Sequence, residues 1–113
     1  MNDYLFELKD IDTIKRLGTY DFEYSKLYDG YVKYYDTGIS MIRFIVFADD
    51  RRKGKLYVDS SIIYDTFKKE RISKLLKTLN IEHLFKEVLN EQNWFNNLQK
   101  FVWNFISYRV LLL

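Results

Sequence analysis

The sequence predicts an α+β fold in a single domain, residues 1–113. The expected order is an N-terminal helix, a four-stranded antiparallel meander sheet, and three C-terminal helices packed on one sheet face. Three observations predict it. All four glycines (Gly18, Gly30, Gly38 and Gly54) fall in the first half, and neither Gly nor Pro occurs in the 59 residues after Gly54. This places turns and strands first and helices afterwards. Polar and apolar residues alternate through the glycine-bearing half, which is the period of a strand. Finally, 113 residues at 48% hydrophobic and 30% charged are enough for one core, and too apolar for wholesale disorder.

Residues 3–17 read as mostly helical. Leu5, Leu8, Ile11, Ile14 and Leu17 recur every three residues, and Gly18 stands where a C-cap glycine belongs. A competing reading keeps 4–9 as a strand, since Tyr4, Phe6 and Leu8 also alternate, with Asp10 or Asp12 capping a shorter helix; the longer repeat favours the helix. Tyr20, Phe22 and Tyr24 then alternate with Asp21, Glu23 and Ser25 as in a half-buried strand. Asp29-Gly30, between Leu27-Tyr28 and Tyr31-Val32, is a hairpin signal, because a type I′ turn needs positive φ at both central residues. Tyr20, Tyr24, Tyr28 and Tyr31 also fit helical spacing, but a mid-helix glycine costs about 1 kcal/mol and Tyr favours strands. The second strand covers 31–36.

The third strand, 39–48, is apolar on both faces: Ile42, Phe44 and Val46 on one, Met41, Ile45 and Phe47 on the other, with Arg43 its only charge. Such a strand belongs in mid-sheet. A polar loop, 49–54, leads to a fourth strand, 55–60. Ser60 or Ser61 can cap a helix with Ile72, Leu75, Leu76 and Leu79 as its stripe. Asn80 can cap a short second helix with Ile81, Leu84, Phe85, Val88 and Leu89 inside. The last helix, 91–112, carries Trp94, Leu98, Phe101, Phe105 and Tyr108 at spacings of three and four.

Composition excludes several chemistries. With no Cys the chain supports no disulfide framework, zinc–thiolate site or thiol nucleophile, and its single His, His83, cannot alone build a triad or a histidine-metal cluster. The glycines are too far apart for a phosphate-cradling loop. Glu7-Leu8-Lys9 has the spacing of a nuclease half-motif without a suitably placed upstream acid. Asp49, Asp50 and Asp59, at strand ends, are the one arrangement from which a magnesium-dependent nuclease could be built, although Asp at such positions also serves turn geometry. No cofactor or resident metal is expected. The N-terminus lacks a signal-peptide pattern. The longest apolar run, 101–113, is shorter than the roughly 20 residues of a spanning helix, so a cytoplasmic protein is expected.

Charge is unevenly placed within a net +2. Residues 1–50 hold six basic and ten acidic side chains, and residues 51–77 hold nine basic and three acidic. The acidic part interleaves Asp21, Glu23, Asp29 and Asp36 with six tyrosines between 20 and 35. Tyr covers much area at little rotamer cost and keeps a hydroxyl, so Asp21, Glu23, Tyr24, Tyr28, Asp29, Tyr31, Tyr34, Tyr35 and Asp36 are the candidate partner-binding residues, suited to a basic protein. The competing role for these tyrosines is core and cross-strand packing. The basic part, Arg51, Arg52, Lys53 and Lys55 at a hairpin tip with Lys69, Lys74 and Lys77 on the next helix, is the candidate for nucleic acid; an ordinary solvated face explains the same lysines.

The leading expectation is a non-enzymatic binding protein that inhibits or neutralises another protein. Toxin-immunity proteins and phage-encoded inhibitors share its small size, its lack of catalytic motifs and the Lys-rich, Ala-poor usage of an AT-rich mobile-element gene; this is an analogy of size and composition. Nucleic-acid binding ranks second and the nuclease third. Self-association through Trp94, Phe101, Trp103 and Phe105 of the last helix is a further expectation.

Overall fold

Strand β4 (Met41–Phe47) is the axis of the fold. Ile42, Phe44 and Val46 are wholly buried on one face, while Ile45 and Phe47 are buried on the other. The computed structural model describes residues 4–60 and 68–88. On one side β4 pairs with β3 (Gly30–Asp36), in register from Gly30↔Phe47 to Asp36↔Met41. On the other it pairs with β5 (Lys55–Asp59), from Arg43↔Asp59 to Val46↔Leu56. Strand β2 (Glu23–Ser25) extends the sheet beyond β3. Strand β1 (Phe6–Leu8) lies between β5 and the short β6 (Phe85–Glu87). The sheet has six strands in the order β2-β3-β4-β5-β1-β6, with every pairing antiparallel.

The two faces are covered differently. On the first, Ile72 and Leu76 of helix α1 (Lys68–Thr78) and Ile14 and Leu17 of a 3-10 helix (Ile11–Tyr20) pack with Phe6, Leu8, Phe44, Leu56, Val58 and Phe85. Burying each such side chain contributes about 1.5–3 kcal/mol, so most of the fold's stability lies here. The second face holds a smaller cluster, Val32, Ile45 and Phe47, walled by Tyr4, Tyr28 and Tyr57. Among the described residues no helix is long and apolar enough to cross a membrane.

The expected architecture of four strands, an N-terminal helix and three C-terminal helices is corrected. The N-terminal segment is β1 followed by the 3-10 helix. Between β5 and β6 the backbone of residues 6–8 finds ladder partners on both sides, and Phe6 and Leu8 point into the core while Glu7 meets Lys55 on the other face. The three-residue repeat of Ile11, Ile14 and Leu17 matches a 3-10 helix, which has three residues per turn. Asp10 caps it, its side chain accepting the Asp12 N–H at 3.0 Å. The helix runs through Gly18 and ends at Asp21, which takes the left-handed conformation (φ 67°).

Asn80 likewise ends α1 rather than starting a second helix. At φ 59° it donates to the Lys77 carbonyl, while the Ile81 N–H reaches back to Leu76, which is a Schellman closure. A three-residue 3-10 turn (Glu82–Leu84) then leads into β6. Ile81, Leu84, Phe85 and Val88 are buried as their hydrophobicity demands, but in a different element. Ser60, the last residue described before α1, is in no helix, while Ser61, Leu89 and the helix over 91–112, including its proposed self-association, lie outside the described residues.

The Asp29-Gly30 pair is not a two-residue turn. Ser25 pairs with Gly30, so the loop is the four residues 26–29. Asp29 alone adopts positive φ (47°), and Gly30 sits inside β3. Its glycine is needed for close approach: a Cβ there would lie 2.7 Å from the Val46 carbonyl oxygen. Gly30→Ala is therefore expected to lower unfolding free energy by about 1–3 kcal/mol, the usual cost of overpacking. Gly18→Ala, where a Cβ meets nothing within 4 Å, is expected to be neutral or slightly stabilising. Urea denaturation of the two variants separates these outcomes; equal midpoints contradict the packing role of Gly30.

Candidate functional site

The six tyrosines between 20 and 35 divide among three jobs. Tyr20, Tyr31 and Tyr35 are partly buried against the main core. Tyr28 packs on the second cluster and supports Arg43, whose guanidinium lies 4.8 Å from the Tyr28 ring centre and donates to its hydroxyl at 2.5 Å. Only Tyr24 and Tyr34 are more than half exposed. Sequence alternation cannot make this division, because β2 and β3 form the margin of the sheet, where one face is only partly roofed.

The acidic residues divide too. Asp29 accepts the Tyr24 hydroxyl at 2.8 Å, and Asp36 accepts the Gly38 N–H at 2.8 Å in the turn before β4. Both carboxylates therefore hold local structure. The Asp21 side chain is 92% exposed and lies 3.8 Å from Lys33. The Glu23 side chain is exposed and makes no hydrogen bond or ion pair with any described residue. Asp21 and Glu23 remain available to a partner.

Composition did not single out three further exposed apolar residues. Leu27, in the loop before β3, and Ile39, in the turn before β4, are 83% and 91% exposed, and Met41 is 53% exposed. Together with Tyr24 and Tyr34 they make five of the six exposed large apolar side chains among the described residues; Ile11 is the other. Strand alternation put Met41 in the core; at the first position of β4 it lies beyond the Tyr28–Tyr57 wall instead. An open groove of about 420 Å³ runs along β2 and over the margin to Val32 and Tyr34, with Asp21 and Glu23 among its lining.

Arg43 anchors the adjoining part of the face. Besides Tyr28 it binds Asp59, its cross-strand neighbour. Burial alone would lower its pKa, yet Tyr28, Asp59 and Tyr34 hold it above the ordinary arginine value. Hydrogen bonding to Asp29, with a smaller push from burial, likewise raises the Tyr24 phenol above its ordinary pKa.

The basic candidates do not converge. Arg52 lies 3.7 Å over the Phe47 ring and is forked by Asp49 at 3.1 and 3.2 Å. Lys55 pairs with Glu7 on the same, second face. Helix α1, with Lys69, Lys74 and Lys77, covers the opposite face, and Lys69 is paired with Glu87 at 3.0 Å. Arg51 and Lys53 stay exposed at the tip. A phosphate backbone would therefore meet two separate, partly neutralised groups instead of one track.

The nuclease candidates are also apart. Asp59 sits at the Arg43 end of β5, whereas Asp49 and Asp50 come after β4 at the other end, and among the described residues no three acidic or histidine side chains come together. His83 contacts Tyr20 edge-on, with ring centres 5.9 Å apart.

The Tyr24–Asp29 bond gives a pH signature. A raised phenol pKa in the folded state means its contribution is intact below the unfolded value of about 10 and is lost as pH rises from there through the folded value. Asp29→Asn keeps a residue that tolerates positive φ but removes the charge. NMR titration of the Tyr24 ring is expected to show a lower pKa in this variant than in the wild type; coincident curves contradict the contact. Comparison of the chain with protein-family models, curated proteins and solved structures finds no match.

Proposed function

We propose that this chain is a non-enzymatic binding protein that acts by covering a basic site on another protein, in the manner of an inhibitor or immunity protein, in the cytoplasm. One observation carries the reading: the exposed Tyr34 and Met41 stand on one face of the sheet, which is also the face of Glu23 and Val32, with the exposed Ile39 in the turn beside them. Scattered exposed hydrophobics are ordinary; gathered ones beside polar groups mark interaction surfaces. Asp21 and Glu23 supply the charge, and Tyr34, Ile39 and Met41 supply area that would lose water on contact.

The structure also changes which substitutions test the idea. Reversing charge at Asp29 or Asp36 disturbs a hydroxyl contact or a turn as well as the surface. Glu23→Lys changes only an exposed group, and Tyr34→Ala removes an exposed ring together with its contact to Arg43, which keeps Tyr28 and Asp59. Wild-type protein is expected to retain a nuclease-resistant partner from host lysate. The double variant is expected to lose it by tenfold or more while its melting temperature falls by no more than a few degrees, since removing a tyrosine anchor and reversing a facing charge each weaken interfaces and a partly exposed contact to Arg43 is worth little to stability. Retention that disappears on nuclease treatment, or a double variant that binds as well as wild type, overturns the proposal.

A further inference from the structure

Strand β2 ends the sheet, so its outer edge has no strand beside it among the described residues. The register says which groups lie there. The Ala48 N–H donates to the Asp29 carbonyl at 2.8 Å, bracketing the Gly30↔Phe47 pair, so Gly30 directs its own N–H and carbonyl away from β4 and toward β2. Ser25, opposite Gly30, returns them. One residue along, Tyr24 must point its N–H and carbonyl outward.

That outward pair opens on the groove of about 420 Å³ whose walls include Asp21, Phe22, Glu23, Val32 and Tyr34. Among the described residues, two carboxylates line it and no cationic side chain does. Resting on the function proposed above, we infer that the partner enters as an extended segment bearing lysine or arginine, which adds a strand to β2 by pairing with Tyr24 and sets its cations against Glu23 and Asp21. The cationic side chains would then share the face of Glu23, Val32 and Tyr34, and the alternate side chains would fall on the other face beside the Tyr24 ring, as strand periodicity requires. A second copy of this chain is a poorer occupant. Antiparallel pairing about Tyr24 would put the two Glu23 carboxylates diagonally across from each other on one face, where like charges repel. Two backbone hydrogen bonds are a short ladder, so the groove and the carboxylates must supply the rest of the affinity.

The probe is an octapeptide alternating lysine and valine, with two controls: the same peptide N-methylated at alternate positions, and one with glutamate in place of lysine. Amide NMR spectra of the full chain are expected to show the Tyr24 amide shifted and protected from exchange by the first peptide and by neither control. Tyr24→Pro removes the outward N–H at an edge position where proline is tolerated, and Tyr24→Val keeps the N–H while removing the ring. Affinity is expected to fall tenfold or more in Tyr24→Pro relative to Tyr24→Val, and likewise in Glu23→Lys relative to wild type. An unmoved Tyr24 amide at saturating peptide, equal binding of the N-methylated peptide, or equal affinities for the proline and valine variants overturns strand addition. If those results accompany continued loss of the captured partner in the Glu23→Lys, Tyr34→Ala variant, the covering function stands and only this mode falls. If the capture is also unaffected, both fall.

Discussion

Burial of β4 on both faces is the constraint on which the rest of the molecule depends. Phe44 and its neighbours need a roof of helices, and Ile45 and Phe47 need a second roof that the described helices do not supply. The second roof is built from side chains: Tyr4, Tyr28 and Tyr57 lie around the apolar trio, and Arg52 lies flat on Phe47. Tyrosine suits this task because its ring seals the cluster while its hydroxyl faces outward. Arg43, the one charge in β4, is accommodated by the same logic. Its guanidinium stacks on Tyr28 and meets Asp59 at the surface, so the strand carries a cation without burying it unpaired. At such partial exposure the ion pair itself is worth little, and the stacking and coverage matter more than the Coulomb attraction.

What the sequence reveals depends on how far away an element's partners lie. The two-faced apolar run of β4 and the adjoining strands β3 and β5 are legible because neighbours along the chain are neighbours in the sheet. Strand β1 is not, since its partners are residues 55–56 and 85–87; with Leu5, Leu8, Ile11, Ile14 and Leu17 in view, local periodicity merges a strand and a 3-10 helix into one apparent helix. Strand β6 is still less legible: three residues, one of them a core side chain, made into a strand only by β1. Asn80 carries a true terminus signal whose direction the sequence leaves open, because Asn favours both helix starts and left-handed helix ends. Asp29-Gly30 marks the right turn with the wrong division of labour. Aspartate supplies the positive φ, and glycine supplies room for Val46.

The candidate site obeys the same rule. Composition locates the tyrosine- and aspartate-rich segment but not the role of each residue within it. Asp29 and Asp36 resemble Asp21 and Glu23 in sequence, yet the first two are held by a neighbouring hydroxyl and a turn amide while the others face solvent. Leu27, Ile39 and Met41 escape notice because an apolar residue in or beside a strand normally reads as core; only their exposure in the folded chain shows that they belong to neither cluster. On the basic side, the sequence counts cations but not their partners. Arg52, Lys55 and Lys69 each face a carboxylate, and the sheet stands between the hairpin tip and the helix.

The margin at β2 joins stability to selectivity. An exposed strand edge invites unwanted pairing, and proteins blunt it by keeping it short and placing charge on it. β2 has three residues, flanked or occupied by Asp21 and Glu23, with Tyr24 tied back to Asp29. These features oppose pairing with neutral or acidic strands, including a second copy of the chain. They oppose a cationic strand least, because its charges offset the carboxylates that repel the others. In the docking mode we propose, the charge that protects the edge is also the charge that selects what docks on it. A basic extended segment is the one class of strand for which the safeguard becomes an attraction.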